Sequence, residues 1–528
     1  MTTHRRERPK LISHTQSRKV PEMSDPKLYD TITAIAKRRG YYWPSYEIYG
    51  GLSGYVTYGD LGTKLKRNIE NNWRSHFTNR QEVLEIEAPI INPATIFEAS
   101  GHIANFKEYS SECTKCGHSF RADHLIEDKT DLENVEAMGG DAIKRLLVEH
   151  KIKCPRCGSP LKEPTLILTM FKTDIGATGG LTGYARPEAA QGMFINFKRG
   201  YQHAREKLPF ALAQVGKVMR NEISPRRGLT RTREFTIMEL ELFFDPQQPE
   251  CPWLKEVEDE KVRLLTESMQ ASDDRTPVET TIRDAVENGL ILTEWNAYYM
   301  GVSKRFITHL GIPEDRQRFR AHLSDERAHY SAQTYDHEVQ LRSFGWLEVA
   351  GHAYRTDYDL KAHQKGADTD MTVLREDGTR FTPHVVEPSF GLGRQFITAL
   401  EASYEHKEKR NIFHLPRDLA PYQLSVFPLV TKDGLPEKAV EIHRALLGAG
   451  FAAFYDERGS VGRRYARSDE AGTPLAVTID YDTLQDEAVT IRDRDTWGQV
   501  RTSIKDLTAL LKEYYSYRAE FEDLGPAV

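Results

Sequence analysis

Leu61, Leu65, Ile69, Trp73 and Phe77 recur at every fourth position and predict a long amphipathic helix, with Asp60 suited to cap its start. Residues 83–88 then read as a strand that Pro89 ends, since proline cannot donate to a ladder. Further along, the period falls to two. Residues 218–222 and 231–244 predict two antiparallel strands joined by a loop. Met238, Leu240, Leu242 and Phe244 make an apolar underside. Arg231, Arg233, Phe235, Ile237, Glu239 and Glu241 share the opposite face, with Arg220 and Glu222 together on one face of the first strand. Residues 385–394 predict a strand that enters a glycine turn and then a helix carrying Leu392, Phe396 and Leu400.

From Pro416 the pattern changes. Strands are predicted at 422–430, 451–455, 474–480 and 488–492, and helices at 437–447 and 500–514. Alternating strands and helices imply a small α/β unit. Two stretches interrupt the earlier pattern: 112–164, which holds four paired cysteines around a helical stretch, and 251–345, which is charged and helix-rich. Residues 1–22 are basic and polar; they predict a disordered tail, or an untranslated stretch with Met23 as the start. The boundaries that follow are 1–22, 23–415 with insertions at 112–164 and 251–345, and 416–528. No internal repeat is visible.

The chain has 528 residues, enough for about three domains. With 39% hydrophobic and 28% charged residues it has the composition of a soluble globular protein. No run approaches the ~18 apolar residues of a membrane span, and no secretory signal is seen, so no membrane role and a cytoplasmic location are expected. The net charge of −6 argues against a protein that only coats nucleic acid; any RNA contact must use local basic patches. Four of the five cysteines form Cys113-x-x-Cys116-Gly and Cys154-x-x-Cys157-Gly. Two such turns supply four thiolates for a closed tetrahedral site, and structural zinc is expected. Cys251 is expected to be a lone thiol.

The charged front of the strand pair carries the chemistry. Charges on a covered sheet face are costly unless they are paired or meet a ligand. Arginines aimed at one place suit a phosphate, which guanidinium binds bidentately, and Phe235 beside them offers a stacking surface. A solvated face with surface ion pairs accounts for the same pattern. In the second element, Gly391 and Gly393 allow close approach, and Arg394 sits where a helix begins, a favourable place for an anion.

These two elements resemble motifs 2 and 3 of the class II aminoacyl-tRNA synthetases, and Glu85-Ile-Glu-Ala-Pro89 after its long helix resembles motif 1. Ser100-Gly-His102, Phe120-Arg-Ala-Asp-His-Leu125, Arg186-Pro-Glu188, Leu208-Pro-Phe-Ala211, Met219-Arg-Asn-Glu222, Arg231-Thr-Arg-Glu-Phe235 and Glu387-Pro-Ser-Phe-Gly391 are similar to the homodimeric glycyl-tRNA synthetase family. Gly462-Arg-Arg-Tyr465 and Asp469-Glu-Ala-Gly-Thr-Pro474 resemble its anticodon-binding domain. The resemblance covers nearly everything from Leu28 onward. It implies an α+β fold: a class II antiparallel sheet flanked by helices, with a zinc-ribbon-like insertion, a helical insertion and a C-terminal α/β anticodon-binding domain. It also implies a homodimer through motif 1, with glycine, ATP, Mg²⁺ and tRNA(Gly) as ligands.

The resemblance further implies the site. Arg220 and Arg394 would be catalytic. ATP would meet Arg220, Asn221, Glu222, Thr230, Arg231, Thr232, Arg233, Glu234, Phe235, Glu348, Val349, Gly391, Leu392, Gly393 and Arg394. Glycine would meet Arg121, Glu188, Phe235, Glu239, Glu387 and Ser389. Glu348 would be a Mg²⁺ partner. Ala353-Tyr354-Arg355 departs from the family pattern, and no role is taken for Tyr354. His329-Tyr330 is left out of the catalytic set as a packed pair. Arg463-Arg464-Tyr465 is expected to contact the anticodon.

Because glycine has no side chain to grip, the enzyme must bind its ammonium, a task suited to three carboxylates. Every competing amino acid is larger, so no editing domain is expected. Rival readings are a synthetase for threonine, serine or proline, a synthetase-like accessory subunit with broken motifs, and a zinc-ribbon nucleic-acid-binding protein. Intact motifs 2 and 3, the carboxylate-rich pocket and the acidic total disfavour all three.

Overall fold

The computed structural model describes residues 25–528 apart from 131, 133, 134, 226, 227, 273 and 274. The basic stretch 1–22 and Met23 lie outside the described residues. The chain opens with α1 (Pro26–Arg39), whose N-terminal cap Asp25 accepts from the Lys27 N–H. Helix α2 (Asp60–Phe77) follows and buries Leu61, Leu65, Ile69, Trp73 and Phe77, the stripe its sequence predicts. Asp60 is its first helical residue rather than its cap; its carboxylate instead accepts from the Tyr422 hydroxyl at 2.7 Å. At Gly62, α2 passes so close to Tyr41 that a Cβ would fall 1.8 Å from the Tyr41 carbonyl oxygen.

The main sheet has nine strands among the described residues. In chain order they are β1 (Val83–Glu85), β2 (Phe210–Met219), β3 (Glu234–Phe244), β4 (Lys261–Leu265), β5 (Val278–Thr281), β6 (Gln317–Ala321), β7 (Gln333–Leu341), β8 (Gly345–Thr356) and β9 (His384–Gly391). Their spatial order is β5-β4-β6-β7-β8-β9-β3-β2-β1. Only β1 with β2 and β4 with β6 run parallel. Among the helices that flank the sheet are α3 (Ala190–Phe194), α4 (Glu294–His309), α5 (Tyr358–Ala367) and α6 (Leu392–Ser403).

Alternation decides which side of the sheet is covered. Met238, Leu240, Leu242 and Phe244 point into one core with Val386 and Phe390 of β9 and with the apolar faces of α2, α4 and α6. Phe77 of α2 meets Phe390 edge-on at 4.9 Å, and Phe306 of α4 meets it at 5.5 Å. With that side sealed, the charged side of β3, β8 and β9 is free to form a cleft.

Residues 251–345 differ from the helix-rich insertion their composition suggests. They carry α4, but also β4, β5, β6 and β7, which extend the main sheet. Residues 107–168 form a small unit of their own. Three short strands, Lys107–Glu112, Ser119–Arg121 and Thr165–Leu168, pair beside two helices over a core of Ala122, Ile126, Val135, Ile143 and Leu147.

The C-terminal unit has five strands, β10 (Leu424–Pro428), β11 (Ala453–Tyr455), β12 (Leu475–Ile479), β13 (Ala488–Asp493) and β14 (Gln499–Ser503), with helices α7 (Leu435–Gly448), α8 (Val461–Glu470) and α9 (Ile504–Tyr515). It has its own hydrophobic core. Residues 500–503, expected at the start of a helix, belong to β14, and α8 is not marked by the apolar pattern. The two units meet at a polar seam. Arg38 and Arg39 at the end of α1 pair with Glu470 at the end of α8, and the Tyr41 hydroxyl donates to the Ala471 carbonyl at 3.0 Å. No helix is long and apolar enough to cross a membrane among the described residues.

Candidate active site

The open face of β3, β8 and β9 lines a cleft of about 350 Å³. Strand register sets its floor. Glu239 of β3 lies opposite Ser389 of β9, which lies opposite Gly351 of β8; one step along, Glu387 lies opposite Ala353. Period-two alternation thus brings Glu239, Ser389 and Glu387 to the same surface. Glu239 accepts from the Ala189 N–H at 2.6 Å and from the Ser389 hydroxyl at 2.8 Å. Burial and the neighbouring Glu387 and Glu188 push its carboxyl up to about 8.

Arg355, at the end of β8, ties the acidic end together. Its guanidinium donates at 2.6 Å to Glu387 and at 2.8 and 2.9 Å to Asp359 of α5, and stands 3.8 Å from Glu188. The Tyr330 ring packs on it at 3.8 Å and Phe194 of α3 at 5.1 Å. The Gln191 amide bridges Glu188 and Asp359, and His102 lies 3.3 Å from Glu188. Burial pushes the Glu188 carboxyl up, but His102 and Arg355 outweigh it and hold it well below the usual range.

The basic end is built from the loop after β2 and from the turn into α6. Arg220 donates to the Pro187 carbonyl at 3.0 Å, and its guanidinium lies over the Phe235 ring at 5.5 Å. Arg394, in the first turn of α6, pairs with Glu348 at 2.8 Å and donates to the Thr230 carbonyl at 3.3 Å. Gly393 lets α6 start against the motif 2 loop: a Cβ there would fall 2.6 Å from the Leu229 carbonyl oxygen.

Most residues singled out from the sequence converge here. Arg220, Glu222, Thr230, Arg231, Thr232, Phe235, Glu348, Val349, Gly391, Gly393 and Arg394 line the cleft with Glu188, Glu239, Glu387 and Ser389. Five do not. Arg233 precedes β3 instead of continuing its face; it binds the Glu222 and Ser53 carbonyls and holds the loop in shape. Glu234 pairs with Lys217 across the strands. Asn221 gives its N–H to the Thr169 carbonyl, and Leu392 is buried in the main core. Arg121 is held by Asp123, Glu108 and Glu136 in the cysteine-bearing unit.

Sequence reasoning missed Arg355, Tyr330, and the pair of His322 and Asp336 that lines the same cleft at 2.9 Å. Of Arg463-Arg464-Tyr465, only Arg463 is exposed. Arg464 is buried against the Pro428, Leu429 and Gly459 carbonyls, and the Tyr465 hydroxyl hydrogen-bonds Thr478.

The four paired cysteines come together. Cys113 Sγ is 3.5 Å from Cys157 Sγ, Cys116 Sγ is 3.7 Å from Cys154 Sγ, and all four lie within 4.8 Å of one another. Thiolates ~2.3 Å from one tetrahedral zinc stand about 3.8 Å apart, so the set fits the ion. The spare cysteine, Cys251, is buried, and burial pushes its thiol up to about 12.

Residues 423–514 match the family described as Anticodon binding domain. Among curated proteins, the chain is 40% identical to a glycine–tRNA ligase of Aeropyrum pernix over 95% of this chain and 99% of that protein. It is 41% identical to one of Thermococcus gammatolerans, over 92% of this chain and 98% of the relative, and 38% identical to one of Methanocaldococcus jannaschii, over 92% and 99%. With the cleft's two charged ends in place and identity at this level running almost end to end, this chain belongs to the glycine–tRNA ligase family.

Proposed function

We propose that the cleft carries out the family reaction, joining glycine to ATP and passing the glycyl group to tRNA(Gly). The carrying observation is the convergence of Arg220 and Arg394, from separate segments, with Glu188, Glu239 and Glu387 on one cleft. The acidic end takes the ammonium of glycine and turns its carboxylate toward Arg220. A carboxylate oxygen attacks the α-phosphorus of ATP, the bond from that phosphorus to the bridging oxygen breaks, and pyrophosphate leaves. Arg220 steadies the charge on the α-phosphate and Arg394 that on the departing pyrophosphate. The terminal ribose hydroxyl of tRNA then attacks the glycyl carbonyl, loses its proton, and AMP departs. No side-chain nucleophile is required. Positioning and charge stabilisation supply the catalysis.

Glu348 would hold Mg²⁺, exchanging its bond to Arg394 for the ion, which supplies charge neutralisation along the phosphates. The four cysteines would hold one structural zinc. Motif 1 (α2 and β1) would form the contact with a second copy, and the exposed Arg463 of α8 would meet the anticodon. A cytoplasmic setting suits the tRNA substrate and four reduced thiols held for metal. The test is amino-acid-dependent ATP–pyrophosphate exchange across all twenty amino acids. Exchange with glycine alone is expected. Exchange with alanine at a comparable rate would overturn the specificity, and no exchange with any amino acid would overturn the function.

A further inference from the structure

Arg186 is 2% exposed, and its guanidinium makes no ion pair among the described residues. A buried cation is costly without a partner, so the groups it meets are informative. Its Nε donates to the Lys217 carbonyl of β2 at 2.9 Å, and one terminal nitrogen donates to the Ala88 carbonyl at 2.9 Å, with the Pro89 carbonyl at 3.5 Å. Gln214 of β2 is fully buried. With its amide oxygen turned to face the donors, it accepts from both terminal nitrogens of Arg186, at 2.8 and 3.1 Å, and from the Ala88 N–H at 2.9 Å. The planar fork thus joins two segments far apart in sequence, the stretch after β1 and the inner length of β2. Gly216 leaves the room for it: a Cβ there would fall 2.4 Å from one terminal nitrogen.

The fork holds the link that runs from a short strand, Leu181–Ala185, to α3. Residues 186–189 of this link are neither helix nor strand, yet they carry three contacts of the cleft. The Pro187 carbonyl accepts from Arg220, Glu188 lines the cleft, and the Ala189 N–H donates to Glu239. At Arg186 the backbone is pinned on both sides. Its N–H donates to the Ile90 carbonyl and its carbonyl accepts from the Met219 N–H, both at 2.9 Å. Beyond that point the link leans on Arg220 and Glu239, which are themselves groups of the site. Gln214, which the fork engages, lies opposite Glu239 in the β2–β3 ladder. The guanidinium therefore sits beside the glycine end without lining the cleft.

We propose that Arg186 is a positioning residue for glycine: its fork fixes the 187–189 link, and through that link the places of Glu188, Arg220 and Glu239. This deepens, and rests on, the glycine-binding reading above. Charge alone would not do the task, because a point charge does not set several directions at once. The phosphate end is held differently, by Arg394 of α6 on Glu348 of β8 and on the Thr230 carbonyl. Glycine and ATP should therefore respond unequally when the fork is lost. Since Arg220 acts on charge developing at the α-phosphate, kcat should fall as well.

The test is steady-state pyrophosphate exchange by the full-length protein, with glycine and ATP varied separately. Arg186→Met should raise the KM for glycine about tenfold or more and lower kcat, with the KM for ATP staying within about twofold of wild type. Arg186→Lys, which keeps the charge and loses the fork, should recover only part of the loss. Gly216→Ala, which keeps the arginine and displaces its fork, should raise the KM for glycine in the same way; it carries the test if Arg186→Met is not recovered folded. An unchanged KM for glycine in the folded variant overturns the proposal. Full recovery by Arg186→Lys overturns it too, since charge and not geometry would then be what matters. Parallel rises in both KM values would mark a merely structural part and overturn it as well. Absence of glycine-dependent exchange in the wild-type protein instead overturns the reading on which it rests.

Discussion

Arg355 is 0% exposed and lies behind the acidic end of the cleft, joined to Glu387, Asp359 and Glu188 and packed by two aromatic rings. Its removal strands two buried carboxylates, and breaking a buried pair from one side costs about 3–5 kcal/mol. Arg355→Ala should lower the unfolding free energy by about that much in urea titration and raise the KM for glycine; unchanged stability would contradict the network. Lysine keeps the charge but not the fork, so Arg355→Lys should recover only part of the loss. At this scale, legibility followed locality. Glu239 was readable because alternation along its strand assigns its face, whereas Arg220 lies in the loop just past β2 and was readable through the motif its segment resembles. Arg355 was not, because its partners Glu188 and Glu387 come from other segments and Asp359 lies across a strand–helix junction. The local hint was an arginine near the end of a strand whose Val349, Ala350, His352 and Ala353 are buried.

Among the elements, the start of α6 decides how the two ends of the cleft are spaced. Gly393 sits against the Leu229 carbonyl where no Cβ fits, and Arg394 next to it reaches Thr230 and Glu348. Gly393→Ala should push the motif 2 loop away, raising the KM for ATP several-fold or more and lowering exchange while far-ultraviolet circular dichroism stays unchanged. The cysteine-bearing unit has a core of few apolar side chains, so the proposed zinc would contribute more to its stability than to that of the main sheet. Metal analysis should find about one zinc per chain, and Cys113→Ser should lose it and render that unit sensitive to protease. Long periodic elements such as α2 were readable, while β6 was not: Gln317-Arg-Phe-Arg-Ala321 buries Gln317, Phe319 and Ala321, too weak an alternation in five residues to outweigh the charge around it. Helix α8 escaped because it buries Arg464, Ser468 and Asp469 rather than an apolar stripe.

Over the whole molecule, the cleft proposed for the chemistry and the segment that matches the Anticodon binding domain family rest on two separate cores. Arg463→Ala should weaken charging of tRNA about tenfold or more and leave pyrophosphate exchange intact, since Arg463 lies on α8 of the C-terminal unit and outside the cleft. Equal loss in both assays would show that the division fails. The seam between the units has a practical consequence for recombining relatives. The end of α8 is gripped by Arg38 and Arg39 of α1, near the beginning of the chain, and Tyr41 beside them rests on Phe396 of α6. A chimera that exchanges only the last hundred or so residues between family members would sever matched charges contributed by opposite termini, so a working transplant must carry the first helix along with the last domain.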